Sequence, residues 1–231
     1  EEEQAKGIDV VIAMDLSSSM LARDFKPNRV EASKAIASEF IQGRSTDRFG
    51  LVVFAGESFT QCPLTIDHER LIQLFDGLKT GILKDGTAIG SGLATAIKRL
   101  KNSKAQSKVV ILLTDGENNS GDIAPETAAT LAERFGIKVY TIGVGKKGMA
   151  DMPVAVDMFG KYVYQQVEVN IDEKLLKEIA KNTNGKYFRA TSNDHLKAIY
   201  AEIDELERTE LASLKYTSKT ELFMPFVWLA V

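Results

Sequence analysis

The stretch Ile8-Asp9-Val10-Val11-Ile12-Ala13-Met14-Asp15-Leu16-Ser17-Ser18-Ser19 decides the fold. An apolar run that lacks the polar alternation of a half-solvated strand reads as a strand buried on both faces, and such strands belong to parallel sheets covered by helices. Where the run stops, one carboxylate and two hydroxyls follow at alternate positions, Asp15, Ser17 and Ser19. Two more pieces have the same character. Gly86-Thr87 precedes a helix-like stretch, and Thr114-Asp115-Gly116 follows the apolar run Val109-Val110-Ile111-Leu112-Leu113. Two carboxylates and three hydroxyls offered at strand ends suit a hard cation, Mg2+ first, with Mn2+ or Ca2+ as alternatives. A cation held by hydroxyls and water, with one position open, serves as an attachment point for a partner's carboxylate.

Outward from this stretch, apolar runs at 8–14, 49–55, 109–113 and 137–142 alternate with amphipathic segments, and a shorter run at 58–64 pairs with 49–55 as a hairpin. Helical spacing links Val30, Ile36, Ala37, Phe40 and Ile41, then Leu71, Ile72, Phe75 and Leu78, then Ile89, Leu93, Ile97 and Leu100. A further helix at about 125–135 starts near Asp122 and Pro125 and stops at Gly136. The expected fold class is α/β: a Rossmann-like, doubly wound, mostly parallel sheet of about six strands with helices on both faces. After Gly145 the rhythm changes. Residues 146–170 read as a loop with one or two short strands, followed by helices from Asp172 to about Asn182 and from about Asn193 to Leu211. Lys186-Tyr187-Phe188 edges the sheet. On the last helix Leu196, Ile199, Tyr200, Ile203 and Leu206 form the core stripe, with Lys197, Glu202, Glu205 and Glu207 elsewhere.

Each oxygen donor has a plainer reading. Ser17, Ser19 and Thr87 are good helix caps, and Asp15 and Asp115 are good turn residues. What favours one site is that all five fall at strand-to-helix junctions, where open α/β sheets place ligands. Glu117, Asn118 and Asn119 beside Asp115 read either as a partner-selecting ring on the metal face or as solvated loop residues. Other signals carry little. Gly143-Val144-Gly145-Lys146-Lys147-Gly148 has dinucleotide-like glycines, but Met152-Pro153 denies the helix that motif requires. His68 and His195 have no ligand-like spacing and read as surface residues, and Cys62 reads as a small buried hydrophobe.

Residues 8–210 resemble the von Willebrand factor A domain through all three parts of its metal-ion-dependent adhesion site: D-x-S-x-S at Asp15, Ser17 and Ser19, the threonine at Thr87, and the aspartate at Asp115. By that resemblance Ser17, Ser19 and Thr87 touch the metal, and Asp15 and Asp115 act directly or through water. Thr141-Ile142-Gly143-Val144-Gly145, Asp157-Met158-Phe159-Gly160 and Gly185-Lys186-Tyr187-Phe188-Arg189-Ala190 narrow the resemblance to the membrane-anchored Bat (aerotolerance) proteins of bacteria, BatA type. The resemblance implies a metal-dependent protein-binding domain in a stress-tolerance or envelope complex at the bacterial inner membrane, on its extracytoplasmic side. The implied partners are an acidic residue of another protein, other Bat-family domains or an AAA+ ATPase that the domain regulates. The rival class is a Mg2+-dependent hydrolase or phosphoryl-transfer enzyme with Asp15 or Asp115 as nucleophile. No general base or phosphate loop is spaced to assist it, so the chain reads as a non-enzyme.

Composition sets outer bounds. At 231 residues, 26% charged with net charge −3, the chain shows no basic footprint for nucleic acid. One cysteine precludes an internal disulfide. The start Glu1-Glu2-Glu3 reads as that of a mature form or a fragment. The expected layout is a domain over 1–215 and, over 216–231, a juxtamembrane segment and the beginning of a membrane-spanning helix. Leu222 to Val231 is wholly apolar, about half of the roughly 20 residues a span needs, and a final buried strand or helix is the alternative.

Overall fold

Side chains of successive residues along β1 (Asp9–Asp15) point alternately to two separate cores, which explains why its sequence is apolar at nearly every position. The computed structural model describes residues 7–220. β1 lies between β2 (Arg48–Phe54) and β4 (Lys108–Thr114), parallel to both. β5 (Lys138–Val144) pairs parallel with β4, and β8 (Tyr187–Ala190) pairs parallel with β5. β3 (Ser58–Thr65) returns antiparallel on β2, giving the order β3-β2-β1-β4-β5-β8. Val10, Ile12 and Met14 join the core beneath α1 (Arg29–Gln42), α2 (His68–Asp76) and α6 (Asn193–Thr220). Val11 and Ala13 join the core beneath α3 (Ile89–Leu100), α4 (Pro125–Arg134) and α5 (Glu173–Asn182). The sheet is the expected doubly wound one, with six strands and only β3 antiparallel.

The chain winds outward from β1 through β2 to β3 and then crosses back to β4 on the other side of β1. The carboxyl ends of β1 and β4 therefore flank the point where strand order reverses, the place where such sheets leave a crevice. Register sets Met14 beside Leu113, which brings Asp15 next to Thr114.

Three segments differ from the sequence expectation. Residues 146–170 hold two long strands, β6 (Gly148–Val156) and β7 (Tyr162–Val169), forming their own antiparallel two-stranded sheet. Pro153 stands opposite Tyr164 beside a register shift within β6, the kind of irregularity that accommodates proline in a strand. α6 runs to Thr220 rather than Leu211, because no glycine or proline interrupts residues 212–220. On α6, Leu206 is 39% exposed, whereas Glu207 is buried and accepts hydrogen bonds from Tyr140 Oη at 2.7 Å, Ser107 Oγ at 2.6 Å and Lys138 Nζ at 2.6 Å. The polar anchors Ser107, Lys138 and Tyr140 on neighbouring strands draw the glutamate inward. His68 is half-buried and its Nε2 pairs with the Asp47 carbonyl at 2.9 Å; His195 is exposed and Cys62 is buried. The apolar run 222–231 lies outside the described residues.

Candidate metal centre

Asp15 closes β1 and is wholly buried, with each oxygen held by one donor. The Ser17 N–H donates to Oδ1 at 2.8 Å and the Thr114 hydroxyl donates to Oδ2 at 2.6 Å. The chain then enters a 3-10 turn at Ser18–Leu21. Ser17 stands at its N-cap position, yet its side chain makes no capping bond; its Oγ lies 2.9 Å from Ser19 Oγ. Ser19 in turn donates to Asp115 Oδ1 at 2.6 Å. These contacts gather Asp15, Ser17, Ser19 and Asp115 at the carboxyl ends of β1 and β4.

Thr87 approaches from the third junction. Its N–H donates to Asn119 Oδ1 at 2.8 Å, and its carbonyl accepts from the N–H groups of Asn119 at 3.0 Å and Ser120 at 3.3 Å. The N-cap of α3 is Ala88, with no side-chain cap, so the Thr87 hydroxyl is not used as one. It faces the Asp115-Gly116 turn: a β-carbon placed on Gly116 would lie 3.3 Å from Thr87 Oγ1. Glu117 is exposed, whereas the Asn118 and Asn119 carbonyl oxygens turn toward the N-terminus of α3, Asn118 accepting from Gly90 N–H at 3.4 Å. Gly90 permits this approach. A β-carbon there would lie 1.9 Å from the Ile123 carbonyl oxygen. Gly90→Ala is therefore expected to push the 118–124 loop away, costing about 2 kcal/mol, and to loosen Thr87. Thermal unfolding and Mn2+ titration of this variant should both show the loss.

The electrostatics depend on residues that pattern reading missed. Arg29, at the start of α1, is fully buried and pairs with Asp24 and with Asp115. Helical spacing already marked its position, since Arg29 lies seven residues before buried Ile36 on α1; its charge disguised it. With Asp24, Asp115 and Asp15 all ionised, one guanidinium leaves two negative charges uncompensated, which a divalent cation would match. Burial, then the like charge of Asp115, pushes Asp15 up to about 7, against the pull of its Thr114 and Ser17 bonds. Burial also raises Asp115, opposed by Arg29 and Ser19. Asp85, before Thr87, was likewise not anticipated. Partial burial opposes its ionisation, but the Ser18 N–H at 3.0 Å and hydroxyl at 2.7 Å hold it below the usual carboxylate range. Among the described residues there is no group of three or more His, Cys, Asp or Glu side chains able to hold a metal. The donor set is one of hydroxyls and two carboxylates, which fits a small hard cation rather than a soft one.

A six-stranded doubly wound sheet with these three loops at one end of β1 and β4 defines a von Willebrand factor type A domain, the class that binds a divalent metal at such a motif. The chain belongs to that family, whose model matches residues 9–202. It is similar to the BatB protein of Bacteroides thetaiotaomicron, at 35% identity and a TM-score of 0.72 over 87% of this chain and 100% of that one. It also resembles an aerotolerance-related membrane protein of Bacteroides fragilis, at 31% identity and a TM-score of 0.71 over 86% of this chain and 98% of that one. The proximal thread matrix protein 1 of the mussel byssus, solved with a zinc-occupied adhesion-site motif, is 25% identical with a TM-score of 0.67 over 88% of this chain and 46% of that one. Among curated relatives, a UPF0353 protein of Nocardia farcinica is 31% identical over 213 residues, which are 85% of this chain and 62% of the relative. The chain thus spans under two thirds of that relative's length.

Proposed function

We propose that this domain captures a partner protein through a divalent cation held by Ser17, Ser19 and Thr87, with Asp15 and Asp115 close by, and that an acidic side chain of the partner completes the site. The observation that carries the reading is that Ser17, at the N-cap of its turn, and Thr87, one residue before the Ala88 N-cap of α3, make no cap with their hydroxyls and stand beside a group of three carboxyls that faces a single guanidinium. Mg2+ is the expected ion, with Mn2+ or Ca2+ as substitutes, because hydroxyl and carboxylate oxygens are hard donors. Glu117, Asn118 and Asn119 form the rim that the partner meets. Nearby, the 3-10 turn carrying Ser19 joins the β6–β7 hairpin through Arg23, whose N–H donates to the Asp151 carbonyl at 3.0 Å and whose guanidinium lies 3.7 Å over the Tyr164 ring. The hairpin tip presents Met158 at 89% and Phe159 at 80% exposure, an apolar surface for the same partner.

The same proposal sets this activity in a membrane-anchored bacterial stress-tolerance or envelope complex, with another Bat-family domain or an AAA+ ATPase as partner; the likeness to BatB and to an aerotolerance-related membrane protein supports it. The proposed anchor is the segment 216–231, beyond a domain spanning 1–215. Among the described residues no helix is long and apolar enough to cross a membrane. The hydrolase alternative is weaker because neither histidine lies at the site: His68 bonds the Asp47 carbonyl and His195 lies on α6 beside Thr191. Calorimetric titration with Mg2+ and Mn2+, followed by envelope pull-downs with Mg2+ or EDTA, tests the reading. Binding of metal and loss of the captured protein in EDTA are the expected results; capture of equal strength in EDTA would sink the mechanism. Phosphatase or nuclease turnover that Asp15→Ala abolishes would favour the enzyme instead.

A further inference from the structure

Arg29 is the first residue of α1, and its guanidinium is wholly buried. Nε and Nη2 donate to the two oxygens of Asp24 at 2.7 Å each, and Nη1 donates to Asp115 Oδ2 at 2.6 Å. The other Asp115 oxygen accepts from Ser19 at 2.6 Å. Both oxygens of a carboxylate beside the cation site are therefore already engaged by protein donors. A buried ion network of this kind is often no more stabilising than well-packed apolar side chains, so stability is a weak reason for its presence.

The guanidinium is also fixed in place. Gly145 has φ +142°, and a β-carbon there would lie 2.8 Å from Arg29 Nη2, so the backbone between β5 and β6 lies directly against the cation. Lys146 N–H donates to Asp24 Oδ2 at 2.8 Å, and Arg189 Nε donates to the Gly145 carbonyl at 2.8 Å. These contacts hold Asp24, and through it Arg29, against the root of the β6–β7 hairpin. A cation entering the site meets a guanidinium that cannot swing aside without moving that root.

We propose that Arg29 is a positioning residue of the cation site: by occupying Asp115 Oδ2 it makes Asp115 act on the bound ion through water, which preserves a coordination position for the partner's carboxylate. The proposal rests on the metal-dependent reading above. It accounts for why a fully charged arginine is buried beside a cation site. Without it, Asp115 would be free to bind the ion directly, neutralise it and compete with the partner.

Mn2+ alone is the probe, read by calorimetry and by water-proton relaxivity per bound ion, which reports the waters left on the metal. Arg29→Gln removes the competitor, so Mn2+ should bind about tenfold more tightly, the scale on which groups behind metal ligands act. Relaxivity per bound ion should fall as Asp115 displaces a water. Arg29→Lys keeps a cation at Asp115 and should retain wild-type relaxivity. Asp24→Asn removes a negative charge and leaves Arg29 wholly to Asp115, so it should weaken Mn2+ binding. A folded Arg29→Gln protein that binds Mn2+ no more tightly, with unchanged relaxivity, overturns the proposal. Should that variant fail to fold, tighter binding by Asp24→Asn overturns it instead. A wild-type protein that binds no Mn2+ removes the metal reading and this proposal with it, whereas wild-type binding with the wrong variant signs removes only the proposal.

Discussion

Asp15→Asn is expected to abolish divalent-cation binding and, at neutral pH, to raise the melting temperature of the metal-free domain. The two effects have one cause. Asp15 is buried beside Asp115, and its carboxyl is pushed up to about 7, first by burial and then by that neighbour. An acid whose folded pKa exceeds its unfolded value holds a proton that the unfolded chain gives up. Stability therefore falls as pH rises from about 4 to about 7, and the penalty is complete above that window. Asparagine carries no charge and keeps both hydrogen bonds: its carbonyl accepts from Ser17 N–H, and the Thr114 hydroxyl can reverse to accept from its amide. The gain for the variant is about 2–4 kcal/mol above pH 7, or roughly 5–10 °C for a domain of this size. Near pH 4 the difference should vanish. Saturating Mn2+ should stabilise the wild type and leave the variant unmoved. Melting curves from pH 4 to 8, with and without Mn2+, check both halves. Wild-type Mn2+ affinity in the variant would remove Asp15 from the site.

Glu207→Ala should be among the most destabilising single changes in the chain. Glu207 is 2% exposed and accepts from Tyr140, Ser107 and Lys138. Burial, then the bond to Glu207, raises the Tyr140 hydroxyl's pKa, keeping it a neutral donor. Alanine leaves that hydroxyl and the Ser107 hydroxyl without their acceptor and opens a void beneath α6. The expected loss is about 3 kcal/mol, or roughly 8 °C. Glu207→Gln keeps one acceptor oxygen, for Tyr140, and its amide can donate to a reversed Ser107 hydroxyl, so it should lose less than half as much. Ser107 and Lys138 stand at the amino ends of β4 and β5, opposite the metal centre, so Mn2+ affinity should not change in either variant. A melting point within a degree of wild type for Glu207→Ala would show that α6 is held by its apolar stripe alone.

The contrast between these two residues separates what pattern can and cannot reveal. Sequence alone determined the sheet, because strands buried on both faces must be apolar throughout, and the run before Asp15 has that form. It also drew Asp15, Ser17, Ser19, Thr87 and Asp115 together as candidates, because strand-to-helix junctions in such a sheet converge at one edge. The hairpin at 148–169 was legible only in part, since Pro153 and the flanking glycines break the alternation that marks a strand, and a two-stranded sheet tolerates them at its edges. Glu207 and Arg29 were invisible for a different reason. A charged side chain in an amphipathic helix reads as solvated, and only the tertiary structure supplies the partners that allow it to be buried: Tyr140, Ser107 and Lys138 for Glu207, Asp24 and Asp115 for Arg29. Hydrophobic periodicity is a local property and can be read along the chain. The neutralisation of a buried charge depends on groups up to a hundred residues away, such as Ser107 and Glu207, and exists only once the chain has folded.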